Sequence, residues 1–207
     1  MAYPTVSAPY GLDPINRFDG IAYAGATQQL TIASTYNTAI YNGDIVAVVS
    51  GNIVKSLVTS NVSTNSSTAT YGVFMGCQYV NSQGQTVQAQ YYPGNASATS
   101  AIAYVVNDPV AEYKVAVTYS GNSTISSTTI AAIGTNAALI QGTGSATTGN
   151  SGVSLAAPAA NAGNAAVLPV RIIAVVPATA ANATLYTEVI VKLNQPQILV
   201  STANDFA

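Results

Sequence analysis

Short runs of β-branched and aromatic residues, each cut off by Gly, Asn, Ser or Pro, recur along this chain, with almost nothing between them that reads as helix. A strand needs only a few such residues to cross a sheet, whereas a helix needs an apolar stripe sustained over several turns. Most of the chain is therefore committed to sheet.

The turn Asn42-Gly43-Asp44 leads into Ile45 to Val49, and Ser50-Gly51-Asn52 returns the chain as Ile53 to Val58, which predicts a hairpin. Thr27 to Ala33, Tyr71 to Val80, Ala101 to Val106, Tyr113 to Tyr119, Val167 to Val176 and Leu185 to Leu193 read as further strands, with Ala137 to Ile140 a shorter run. After the Asn81-Ser82-Gln83-Gly84 turn, Thr86, Gln88 and Gln90 alternate with Val87, Ala89 and Tyr91, the period of a strand with one wet face. The expectation is an all-β fold, a barrel or sandwich of about ten short strands. One exception is the alanine-rich Asn95 to Ala103, where intrinsic propensity points to a short helix.

Pro4, Pro9 and Pro14 punctuate the first residues, and each removes a backbone donor and disfavours helix in the residue before it. Residues 1–20 are expected as an extended N-terminal arm and 21–207 as the β-rich body, with the Ala/Pro/Asn/Gly stretch 156–166 the best candidate for a linker inside it. Ser60 to Thr70, almost wholly Ser, Thr and Asn, is expected as an exposed loop, and 120–136 and 142–152, rich in Gly, Ser, Thr and Asn, as further loops.

The chemistry open to such a body is narrow. The chain has no histidine, one cysteine, no tryptophan, five Lys/Arg and seven Asp/Glu. A Ser-His-Asp or Cys-His arrangement cannot be built, and zinc coordination by one thiol and few carboxylates is a poor prospect. Lys55 followed by Ser56 leaves a serine–lysine pair formally open, but that dipeptide is ordinary in a serine-rich chain. Asp108 and Glu112 read as a solvated turn, and Arg17 between Asp13 and Asp19 as a local ion pair. Gly142, Gly144 and Gly149 fit neither phosphate-loop spacing. Five Asn-x-Ser/Thr sequons carry little weight in so Asn- and Ser-rich a sequence. Cys77, in Val-Phe-Met-Gly-Cys, reads as a buried inert thiol. The expectation is a protein that is not an enzyme and holds no cofactor or metal.

A net charge of −2, with five dispersed cations, argues against nucleic acid as a partner. No apolar run approaches the length of a membrane span, and the N-terminus lacks the charged and apolar regions of a secretory leader, so neither membrane nor export is expected. With 49% hydrophobic residues the chain has ample material for a core, yet charged residues are only 6%, against roughly 25% in an ordinary domain. Thirteen tyrosines supply contact area with a polar tip, and Tyr3 and Tyr10 of the arm are expected at an interface.

The segments AYPTVSAPYGLDPIN, YNGDIVAVVSGNIVK, YGVFMGCQYVNSQGQTVQAQYYPG, AYVVNDP, GTNAALI, GNSGVSL, PVRIIAVV and VKLNQPQ, in that order, resemble structural proteins of tailed bacteriophages, in particular capsid decoration (cement) proteins of the marine phage type. The resemblance lies in the order of segments rather than in any one motif. It implies a β-rich subunit on the outer surface of the capsid, a homotrimer, bound to the major capsid protein lattice and stabilising the expanded head. It also implies an arm that adds a strand to the capsid, with Tyr3, Pro4, Val6, Pro9, Tyr10 and Arg17 as contact residues. A head or tail fibre or minor capsid protein touching the host surface, and a carbohydrate-binding β-sandwich, are the alternatives.

Overall fold

The computed structural model describes residues 8–59, 67–94, 99–118, 130–156, 168–180 and 186–194. The fold is all-β, with fifteen strands among these residues and, besides them, a 3₁₀ turn at Ile130–Ala132 and one helical turn, α1, at Pro177–Ala180. The count exceeds the expected ten because several pairings are only two or three residues long, too short to leave a periodic signal.

Strands β2 (Gln28–Thr31), β9 (Thr99–Val106), β6 (Gly72–Val80), β4 (Ile45–Val49) and β5 (Asn52–Lys55) pair in that spatial order. The two ends of the row approach each other: Ile32 bridges Ile53, and the Thr31 hydroxyl donates to Asn52 Oδ1 at 3.3 Å. The row is thus a nearly closed barrel, which protects edges that an open sheet would expose. Strand β7 (Thr86–Ala89) continues the β6 hairpin, and β3 (Ile40–Tyr41) pairs with β8 (Tyr91–Tyr92). Ile40, Val46, Ile53, Phe74, Tyr92 and Val105 fill the barrel.

The second sheet has the order β11 (Asn136–Ala137), β14 (Val170–Val175), β15 (Glu188–Leu193), β10 (Ala111–Thr118), β13 (Ser154–Ala156), β12 (Leu139–Ile140). Strand β1 (Asp13–Arg17) joins it through β10. Because β15 occupies one edge of β10, β1 and β13 share the other, β1 against its first half and β13 against its last two residues.

Three apolar doublets join the two layers. Ile45, Val73 and Val106 belong to the core beneath the second sheet, while their neighbours Val46, Phe74 and Val105 point into the barrel. A strand buried on both faces has no wet side, and this is why these stretches read as continuous apolar runs. A bulge in β6 between Phe74 and Gly76, with Gly76 at φ +148°, then shifts the alternation by one. Cys77 consequently faces the barrel interior, as Phe74 does, opposite Ala103.

Two expectations are corrected. The helix over Asn95 to Ala103 does not form in the described part, where Thr99–Val106 is a strand whose Ala101 and Ala103 line the barrel. Alanine's propensity yields there to a need for small inward-facing side chains. Within the expected arm, Gly11 and Leu12 bond to Val153 and Gly43, and Asp13–Arg17 pairs with β10. The loop expected as exposed over Ser60 to Thr70 is buried at its end, at Ala69 and Thr70. Most of the linker expected at 156–166 lies outside the described residues; β13 before it and β14 after it belong to one sheet.

Candidate functional site

The N-terminal segment is seated by its backbone first. Gly11 N donates to Val153 O at 3.1 Å and Leu12 N to Gly43 O at 2.9 Å, with Leu12 buried in the core. At Gly11 the left-handed φ of +88° and a Gly43 carbonyl 2.6 Å from where a Cβ would lie admit glycine alone. From Asp13 the chain zips antiparallel along β10, Asp13 opposite Lys114 and Arg17 opposite Ala111.

Side chains complete the seat. The Tyr10 hydroxyl donates to Glu188 Oε1 at 2.5 Å, and Lys114 Nζ sits 3.5 Å from the same oxygen and 5.7 Å from the Tyr10 ring centroid. Glu188 is nearly fully buried, and burial, ahead of the Glu188 contact, pushes the Tyr10 phenol far above its ordinary range, so it stays a donor. Desolvation raises the Asp13 carboxyl, Lys114 lowers it and Glu188 raises it again. Arg17 lies 3.1 Å from Asp19 and 3.2 Å from Asp108.

Of the residues expected to touch a capsid, Tyr3, Pro4 and Val6 lie outside the described residues. Pro9 is half-buried, and the polar groups of Tyr10 and Arg17 are engaged within the molecule. Tyr10 thus ties the segment to β15 and Arg17 ties it to the turn before β10, whose edge β13 leaves uncovered along its first half.

The other constellations resolve into packing. Ser56 Oγ donates to Ala69 O at 2.7 Å and accepts from Val58 N at 3.2 Å, so both its roles are taken by backbone. Asp108 caps the turn before β10 by accepting from Val110 N at 3.0 Å. Cys77 is buried, and burial pushes its thiol up to about 12. Tyr41 stacks on Tyr91 with centroids 5.4 Å apart, and Tyr36 on Tyr92 at 6.4 Å. Among the described residues no group of three or more Cys, Asp or Glu is placed to hold a metal ion, and no helix is long and apolar enough to cross a membrane.

Sequence reasoning missed Asp44, Ser151 and Glu188. Asp44 looked like a turn residue, yet its side chain is wholly buried and bonded to Tyr41 N, Ser151 Oγ and Lys55 Nζ. Glu188 carries no local signal, because its partners Tyr10 and Lys114 are remote in sequence.

The surface itself is uneven. Five large hydrophobics are exposed among the described residues, Phe18, Ile21, Leu57, Ile130 and Ile133. Phe18 and Ile133 line one groove of about 360 Å³ with Arg171, Ile173 and Lys192. Ile21 O accepts from Arg17 N next to Phe18, and Ile130 O from Ile133 N. A second groove, of about 500 Å³, lies on the barrel between Tyr36, Val54 and Leu57.

No family model matches this chain, and no match is found among curated proteins or solved structures.

Proposed function

We propose that this protein is a non-enzymatic virion structural protein, a decoration subunit that binds the major capsid protein lattice on the outer surface of the head and, as a homotrimer, stabilises the expanded shell. The observation that carries the reading is the exposed apolar surface of Phe18 and Ile133 on one groove, with Ile21 and Ile130 exposed three residues away in the chain, in a protein with very few charges. Exposed large hydrophobics gathered in one region mark adhesion rather than solubility. Low charge suits many copies packed side by side, which would otherwise repel each other.

The seating of β1 supports the arm in a changed form. The segment already pairs as an edge strand from Asp13, so only the residues ahead of Tyr10 are left to reach a neighbour by strand addition. A trimer would present three such segments at once, and their joint attachment needs only modest affinity from each.

The test adds purified protein to undecorated expanded heads and follows attachment and heat resistance. Saturable attachment with a raised disruption temperature is expected; heads that acquire no protein would overturn the reading. Deleting residues 2–7, which spares Tyr10 and β1, should weaken attachment and leave the melting of the free protein unchanged.

A further inference from the structure

We infer that the groove formed by Phe18, Ile133, Arg171 and Lys192 is a docking site for a carboxylate-bearing, partly apolar peptide segment of a partner protein. The inference does not depend on that partner being a capsid subunit.

The charges point to it first. The chain has only five cations. Arg17 is paired with Asp19 and Asp108, Lys55 with Asp44, and Lys114 with Glu188. The remaining two, Arg171 and Lys192, have no carboxylate within 4.0 Å among the described residues. They are also direct cross-strand partners between β14 and β15. Like charges directly opposite on an antiparallel pair repel, and an incoming anion between them relieves that repulsion.

Geometry and apolar surface then limit what the anion belongs to. Lys192 Nζ lies 5.4 Å from the Phe18 ring centroid, which holds the ammonium at the rim of the groove. Arg171 is exposed, and its planar fork suits a carboxylate taken two-pronged. Phe18 is 61% and Ile133 45% exposed, so aliphatic or aromatic side chains flanking the carboxylate have surface to cover. The cross-strand row continues from Lys192 to Glu112 and from Arg171 to Asn136, so the site offers two cations with one carboxylate beside them. That balance suits a peptide with isolated Asp or Glu residues and is too weak for a nucleic-acid backbone.

The experiment titrates the full-length isotope-labelled protein with the blocked hexapeptide Asp-Leu-Asp-Phe-Asp-Leu and with its Asn counterpart. Saturable shifts confined to the amides around Phe18, Ile133, Gly134, Arg171 and Lys192 are expected, with the Asn peptide bound about tenfold more weakly or worse. The double variant Arg171→Gln, Lys192→Gln should lose affinity to the same degree while melting as the parent does; the mapping on the parent protein stands even if it does not. The inference is overturned by equal binding of the Asn peptide, by shifts elsewhere, or by no saturation up to about 1 mM. It is equally overturned if a single-stranded oligonucleotide binds more tightly than the peptide. Sedimentation of the parent as an oligomer that the double variant dissolves would instead assign the groove to a second copy of this chain.

Discussion

Asp44 has both carboxylate oxygens engaged at the junction of the two layers. Oδ1 accepts from Ser151 Oγ at 2.6 Å, and Oδ2 accepts from Tyr41 N at 2.8 Å and lies 3.0 Å from Lys55 Nζ. The Lys55 side chain is only 12% exposed, so removing its partner strands a cation out of water. Asp44→Ala is expected to cost about 3–5 kcal/mol, read as a lowered urea midpoint. Asp19→Ala, which breaks a pair whose carboxylate side is 40% exposed, should cost at most about 1 kcal/mol in the same assay. Tyr10→Phe deletes the hydroxyl that donates to the Glu188 carboxylate and is expected to cost about 1–3 kcal/mol. Faster hydrogen exchange along β1, without change in the barrel, would locate that loss in the N-terminal seat.

The hairpin between β4 and β5 is legible from Ser50-Gly51-Asn52 set between two apolar runs. Both residues have positive φ, +49° and +75°, the combination that a two-residue turn matched to strand twist requires. Serine is not the best residue for the first of these positions. Ser50→Asn should stabilise by about 0.5–1 kcal/mol and raise the melting temperature by about 2–4 °C, and a lowered temperature would refute the assignment. The bulge in β6 was not legible, because nothing in Phe-Met-Gly-Cys states which residue is left unpaired opposite β9. Likewise the prolines describe an extended chain equally well whether its partner is another molecule or β10. The helix read into Asn95 to Ala103 failed for a related reason, since alanine's propensity says nothing of the barrel wall it completes.

At the scale of the molecule, several described groups that titrate at high pH, Cys77 and three tyrosines among them, are wholly or partly buried in their neutral forms. Burial pushes Cys77 from 9.0 to about 12 and raises Tyr36, Tyr92 and Tyr113 above 10.0. In each case the unfolded chain releases its proton first, so the stabilisation is complete below the ordinary value and is lost as pH climbs toward the folded one. The urea midpoint should therefore fall steadily as pH rises above 9.0, with tyrosinate absorbance appearing together with unfolding; a midpoint independent of pH there would contradict the burial. By itself the sequence determined the all-β class, the principal hairpins and the scarcity of reactive side chains, because strand periodicity and turn chemistry are properties of a few adjacent residues. Only the tertiary structure decided that the barrel nearly closes through Ile32 and Ile53, that Asp44 meets Ser151, and that Arg171 and Lys192 are left facing each other. Those outcomes depend on which distant strands become neighbours, and the exchange of water for protein partners that selects them takes place between residues far apart in the chain.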